Sequence, residues 1–285
     1  MGTNKQQSKQ TKHDRKAAKE AAREAARREE RRRQLITLAV VVAIVVVGGG
    51  LAGWMVYEDR QEQARLEAEQ EELLAELEAE EETIAERGVA CGADEPEGAG
   101  EDRAPYDEPP PQVLDEGEEV RAVVATSCGE LVLDLDAAAA PETVNAFVHL
   151  AEDGFYDGRE VFRHAEGIEV LQTGSGTDDA GWDVGFDLPG ELDRAEEVGY
   201  PVGTVAIANP GDPDQGGSQF FLVYGEAFEE TFGGEDPAYT NFGEVVEGLD
   251  VLEELADIGV VGGQLGAEVP AERIYLESVS IERGE

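Results

Sequence analysis

The pattern of apolar and polar positions changes several times along this chain. From Leu35 to Tyr57 the run LITLAVVVAIVVVGGGLAGWMVY holds 23 residues and no charge. At about 1.5 Å per residue a helix of that length crosses a hydrocarbon layer about 30 Å thick. The run predicts a transmembrane helix over 35–57, with Trp54 and Tyr57 at an interface. A cleaved signal peptide is the alternative, and the long polar head before the run argues against it. Residues 58–87 are rich in Glu, Ala and Leu and lack Gly and Pro, a composition that favours helix. Leu66, Leu73, Leu77 and Ile84 approximate a heptad seam that Gln70 and Glu80 interrupt. A solvated helical spacer is predicted there, with a short dimeric coiled coil as the alternative. Residues 88–118 turn to Gly, Pro, Asp and Glu around EPPPQ and read as an irregular linker.

Residues 119–285 carry the periodicity of a folded domain. VRAVVATS and GELVLDLD are strand-like runs around Cys128-Gly129, which predicts a hairpin. Pro141 opens a helix whose apolar stripe is Val144, Phe147, Val148 and Ala151. REVFRH, EVLQTG, TVAIAN, SQFFLVYG and NFGEVVEG follow as further strands. LDVLEELADIG reads as a second helix ended by Gly259, and RIYLESVSIE as a last strand. Many strands, two helices and short connections predict a closed antiparallel barrel.

Charge divides the chain at the apolar run. Residues 1–34 hold 12 Lys or Arg and 5 Asp or Glu, within a total of 22 basic and 65 acidic residues and a net charge of −43. No lysine follows Lys19. Arg31, Arg32 and Arg33 precede the run and Glu58 and Asp59 follow it. The positive-inside rule then predicts a single-pass cell-membrane protein with a cytoplasmic N-terminus and an extracytoplasmic C-terminal body. A basic head also suits nucleic acid. Here it adjoins the span and alternates with Ala and Glu, so orientation is the better account and no nucleic-acid partner is expected.

Three segments resemble the cyclophilins in family order: PETVNAFVHLAEDGFYDG (141–158), VAIANPGDPDQGGSQFFLV (205–223) and YTNFGEVVEGLDVLEEL (239–255). The resemblance covers about residues 119–285, and the run Gly-Ser-Gln-Phe-Phe after an Ala-Asn-x-Gly loop is its most specific part. The anchored layout with ACG in the linker resembles actinobacterial members. It implies a mainly β fold, an eight-stranded antiparallel barrel with two capping helices, preceded by the transmembrane helix and helical spacer. It implies a peptidyl-prolyl cis-trans isomerase acting on proline-containing segments of secreted or cell-envelope proteins, needing no cofactor and no metal. A proline-segment binder with weak catalysis is the alternative.

The resemblance also implies site residues. Gln172, Val170, Ala208, Asn209, Gln219, Phe221 and Tyr239 take substrate-binding positions, and Phe220 falls in the barrel core. The family's catalytic arginine falls on Arg163 if the following loop is one residue short, and on His164 without that gap. Glu169 stands where an aromatic pocket residue is expected, Gly234 near a usual tryptophan, and Tyr239 in place of a histidine, with Phe232 available to compensate. Taken singly, each residue has an ordinary reading: alternating core phenylalanines, a sheet-edge glutamine, a surface histidine. Asp153, Asp157, Asp178 and Asp179 form no recognisable metal loop and read as solvated.

Cys91 and Cys128 are the two cysteines, and both fall on the predicted outer side, where disulfides persist. A bridge is the expected pairing. One buried thiol and one linker thiol open to lipid or intermolecular chemistry is the alternative.

The acidic body repels itself at low ionic strength. The melting temperature should therefore climb between low and molar salt. A melting temperature that does not change would reject adaptation to saline surroundings.

Overall fold

The computed structural model describes residues 3–115, 117–234, 236–262 and 268–284. The chain divides into two compact units, Met1–Leu74 and Ala75–Glu285. The first is helical throughout its described length. Helix α1 runs Thr3–Ala85 and carries the basic head, the apolar run and most of the spacer on one backbone. Its apolar side chains are bare: Ile44, Val45 and Val46 are each 66% exposed. Among the described residues this is the one helix long and apolar enough to cross a membrane, and a signal sequence would pass the same test.

In the second unit α1 ends where arginines take up its last carbonyls. Arg87 Nε donates to Ile84 O at 2.9 Å and Arg273 Nη2 to Ala85 O at 2.8 Å. Arg87 Nη2 also meets Glu160 Oε1 at 2.7 Å in a largely buried ion pair.

The strands are β1 (Val120–Thr126), β2 (Gly129–Leu135), β3 (Arg159–Glu160), β4 (Arg163–Ala165), β5 (Val170–Thr173), β6 (Thr204–Ile207), β7 (Phe220–Val223), β8 (Asn241–Glu247), β9 (Val260–Gly262), β10 (Glu268–Pro270) and β11 (Tyr275–Arg283). Nine of them form one antiparallel sheet in the order β3-β11-β1-β2-β8-β6-β7-β5-β4. Its two edge strands, β3 and β4, are separated only by Val161 and Phe162, so the sheet curls until its edges meet. The expected single strand REVFRH is thus bent in two. Its first half pairs with β11 and its second with β5. Counting that bent run once leaves the eight strands of the expected barrel.

Strand alternation sorts the side chains. Leu171, Phe220 and Leu222 point into the barrel core, where Phe147, Tyr156, Phe220 and Phe242 contact ring on ring at 5.0–6.5 Å. Val170, Phe221 and Val223 point to the other face and join a second apolar cluster with Tyr200 and Phe228.

Helix α2 (Pro141–Glu152) buries the predicted stripe of Val144, Phe147, Val148 and Ala151. The carboxylate of Glu191 accepts from Glu142 N at 3.0 Å and Thr143 N at 2.9 Å, satisfying two free N–H groups of the first turn. Two short helices, α3 (Asp193–Val198) and α4 (Ala227–Phe232), and the β9–β10 hairpin were not expected. The second expected helix is α5 (Leu249–Ala256). Six-residue helices are too short to show a periodicity, and β9–β10 lies in glycine-rich sequence.

The described residues of 88–118 are almost without regular structure, yet they pack on the barrel. Ala90 is fully buried, and its N–H donates to Arg273 O at 2.9 Å. Cys91 and Cys128 are joined as a disulfide with Cα atoms 5.2 Å apart, tying this segment to the β1–β2 turn. The two lie 37 positions apart. A loop of that size stabilises the fold by about 3–4 kcal/mol on the chain-entropy account. Reduction should lower the denaturation midpoint accordingly, and thiol counting on the denatured protein should find none before reduction and two after. Two free thiols before reduction would reject the bridge.

Candidate active site

Register alone brings residues of five strands into one row. Arg163 of β4 pairs with Gln172 of β5, Gln172 with Phe221 of β7, Phe221 with Ala206 of β6, and Ala206 with Asn241 of β8. Directly paired residues share a face, so this row lies on the outer wall of the barrel, away from Leu171 and Phe220.

Along that wall runs a chain of hydrogen bonds. Arg163 Nη1 donates to Gln172 Oε1 at 3.1 Å. Gln172 Nε2 donates to Gln219 Oε1 at 3.0 Å. Gln219 Nε2 donates to the carbonyls of Ala180 at 3.1 Å and Trp182 at 3.2 Å. Each amide accepts at its oxygen and donates at its nitrogen, so the orientation of both glutamines is settled by the guanidinium at one end and the loop carbonyls at the other. Among the described residues no carboxylate lies within ion-pair distance of Arg163. Its charge is held by a neutral amide and stays available to a ligand.

A cleft of about 500 Å³ opens over this chain. Arg163, Gln172, Ala208, Asn209 and Gln219 line it, facing a wall formed by Ala180–Val184 and Phe186. Asn209 is fixed by its own side chain: Nδ2 donates to Ala238 O at 2.8 Å, and Oδ1 accepts from Gly211 N at 2.9 Å. Trp182 was not singled out in the sequence. It belongs to the Gly- and Asp-rich stretch after β5, whose composition reads only as loop.

Val170, Phe221 and Tyr239 do not line the cleft. Val170 and Phe221 are buried. Phe221 packs against Phe228 with centroids 4.8 Å apart and Tyr239 at 5.4 Å, and Phe232 closes on Tyr239 at 5.5 Å. Helix α4 roofs this cluster. Its first turn is held by Glu169, whose Oε2 accepts from Ala227 N at 2.7 Å. The carboxylate needs the space beside Gly225, where a Cβ would collide with it. Glu169 therefore anchors α4 and does not line a pocket. Tyr200 ties the cluster's other side: its hydroxyl donates to Tyr239 O at 2.8 Å and accepts from Tyr239 N at 3.0 Å.

His164 points the other way, as strand alternation requires. It is fully buried, with Nδ1 donating to Gly259 O at 3.3 Å and Nε2 accepting from Tyr224 Oη at 2.9 Å. It makes no contact with Gln172. Burial lowers its pKa from the ordinary 6.5, against a smaller opposing pull from the Gly259 carbonyl and from Glu166 and Glu268. Among the described residues no group of three or more His, Cys, Asp or Glu is placed to hold a metal.

Comparison with known proteins identifies relatives of the barrel. The family model described as cyclophilin-type peptidyl-prolyl cis-trans isomerase matches residues 121–281. A protein described as a probable peptidyl-prolyl cis-trans isomerase B of Mycobacterium tuberculosis is 34% identical over 177 residues, 58% of this chain and 55% of that protein. The Mycobacterium leprae protein of the same description is also 34% identical, over 57% of each. Peptidyl-prolyl cis-trans isomerase-like 3 of Gallus gallus is 34% identical over 138 residues, 47% of this chain and 81% of its own length. The chain thus spans little more than half of the mycobacterial proteins. Among solved structures, a cyclophilin-type isomerase of Cryptosporidium parvum superposes with a TM-score of 0.50 at 21% identity, covering 59% of this chain and 99% of that one. At that identity the likeness extends to the fold.

A histidine with a lowered folded pKa stays neutral while the unfolded chain already binds a proton. Stability should therefore fall as pH drops below 6.5 and until the folded value is passed. Chemical denaturation on either side of pH 6.5 should show a steeper loss in wild type than in His164→Gln. Equal slopes would mean that His164 is not held neutral.

Proposed function

The chain belongs to the cyclophilin-type peptidyl-prolyl cis-trans isomerases, and from that membership and the cleft geometry we propose that it isomerises X-Pro bonds in extracytoplasmic polypeptides. The observation that carries the reading is the Arg163–Gln172 hydrogen bond at the mouth of an open cleft, with no carboxylate partner for the guanidinium among the described residues.

Rotation about an X-Pro bond must break amide resonance, against a barrier of about 18–20 kcal/mol. A site that binds the twisted amide better than either planar form lowers that barrier. In the twisted form the proline nitrogen regains its lone pair, and the Arg163 guanidinium donates to it. Gln172 holds the guanidinium in place. Gln219 and Asn209 hold the neighbouring carbonyls and N–H groups of the peptide without charging them. Ala208, on the same wall of the cleft, receives the proline ring. No bond is made or broken in the chain, so no nucleophile enters.

A second reading has its own support. Phe221 and Val170 lie beneath Phe228 and Tyr239, which narrows the apolar recess for a proline ring. A cyclophilin-type domain with that recess filled would bind proline-containing segments and catalyse weakly.

For location, the apolar helix with arginines before it and acids after it supports a span with a cytoplasmic N-terminus. The Cys91–Cys128 bridge fits the oxidising side of the membrane for the barrel. The seam of Leu66, Leu73, Leu77 and Ile84 supports pairing of two chains through residues 58–87, where Leu66 and Leu73 lie exposed.

A protease-coupled assay on proline peptides separates the two functional readings. Arg163→Ala should lower kcat/KM by about 100-fold, equivalent to 2–3 kcal/mol of transition-state binding. His164→Ala should leave the rate of the folded protein near wild type. Equal rates for wild type and Arg163→Ala would overturn the assignment of Arg163, and a wild type without activity that still binds proline peptides would establish the second reading.

A further inference from the structure

The family match begins at residue 121, but the cleft wall is held by residues that precede it. The loop from Gly176 to Phe186 is fastened at both ends to the irregular segment 98–106. At one end Gly176 O accepts from Arg103 N at 2.8 Å and from the buried Arg159 Nη1 at 3.0 Å. Arg159 Nη2 reaches back to Glu101 O at 2.8 Å and Gly98 O at 3.3 Å, so one guanidinium clasps both segments. At the other end Val184 O accepts from Tyr106 N at 2.8 Å. Gly185 adopts a φ of 95°, and a Cβ there would run into the Tyr106 carbonyl. The Tyr106 ring packs against Phe186 at 6.3 Å and Phe155 at 6.2 Å, and Phe155 in turn supports Trp182 at 5.7 Å.

Between those two fastenings lie Ala180 and Trp182, whose carbonyls accept from Gln219. We infer that the segment 98–106 is a strap that positions the catalytic arginine, acting through the 176–186 loop, Gln219 and Gln172. Arg103 and Tyr106 are its positioning residues. Arg103 is itself anchored to the turn after α2, with Nη2 donating to Asp157 O at 2.7 Å and Nε to Phe155 O at 3.3 Å. The chain of contacts is continuous. Strap N–H groups fix the loop, loop carbonyls fix the Gln219 amide, that amide fixes Gln172, and Gln172 fixes Arg163. None of these links brings the strap into contact with substrate, so its effect falls on geometry and not on binding area.

The inference rests on the isomerase reading for its consequence, and its test separates the two. The full chain, held in lipid nanodiscs and labelled with 15N-glutamine, is compared as wild type, Arg103→Met and Arg103→Lys. Arg103→Met should lower kcat about tenfold, the scale on which small displacements act. KM should change less than kcat, because the strap touches no substrate and reaches ground-state binding only through Gln219. Arg103→Lys should recover most of the rate, and the side-chain amide signals of Gln172 and Gln219 should move in Arg103→Met and return in Arg103→Lys. If Arg103→Met does not fold, Tyr106→Leu, which removes the ring beneath Phe186, is read in the same way. Unmoved amides in a folded variant overturn the inference whatever the rate does. Moved amides with an unchanged kcat overturn it equally. Failure of the wild type to isomerise would sink the functional reading alone, since the amide signals still report whether the strap orients the two glutamines.

Discussion

One interaction organises the cleft: the Arg163 guanidinium is held at an open cleft by a neutral amide. The chain carries 65 Asp and Glu against 22 Lys and Arg, so the charged side chain an arginine most often meets is a carboxylate. The other barrel arginines show the usual outcome. Arg194 is paired with Asp136 and Glu244, and Arg283 with Glu118 and Glu152. Arg163 escapes because its neighbour across the ladder is Gln172, and the neighbour of Gln172 is Gln219. An ion pair there would orient the guanidinium equally well and leave little of its charge for a substrate. Two glutamines supply orientation at the cost only of finding acceptors for their own N–H groups, and the 180–182 carbonyls provide them.

That solution requires the curled sheet. Arg163 sits on a three-residue edge strand, which has one ladder partner. Bending the run 159–165 between two edges brings β4 against β5 and, two residues earlier, β3 against β11. The bend also decides which of Arg163 and His164 stands beside Gln172. Successive residues face opposite sides, so placing Arg163 beside Gln172 sends His164 into the packing under Tyr224 and Gly259. Counting sequence positions does not resolve that choice, because a one-residue gap in the next loop exchanges the two. Pairing in the ladder does.

The barrel was legible in the sequence because its strands alternate and its two longer helices carry apolar stripes. The Phe220-Phe221 pair was legible for the same reason, one ring in the core and one on the wall. The cleft was legible on one side only. Arg163, Gln172, Ala208, Asn209 and Gln219 stand on or beside strands, where register fixes direction. The opposite wall is loop, and its residues are placed by hydrogen bonds from segments distant in sequence, such as Tyr106 N to Val184 O. No periodicity marks such contacts. Residues 88–118 read as a linker from their Gly, Pro and acidic composition. What composition does not show is that buried Arg159 and a disulfide hold that segment against the barrel.

The covered apolar cluster has a further physical consequence. Phe228 and Phe232, one helical turn apart on α4, stack with centroids 4.8 Å apart and close over Phe221 and Tyr239. The roof is a six-residue helix, too short to be stable by its own hydrogen bonds. It is kept in place by those rings and by Glu169 at its first turn. Glu229 adds a tie, its carboxylate accepting from Tyr200 N. Glu169 itself holds a φ of 55°, in the left-handed region that a side chain adopts at some cost. Phe221 is thus covered by a helix that its own rings and two carboxylates hold, while Arg163, Gln172 and Gln219 lie along the open cleft and are oriented by hydrogen bonds of their own.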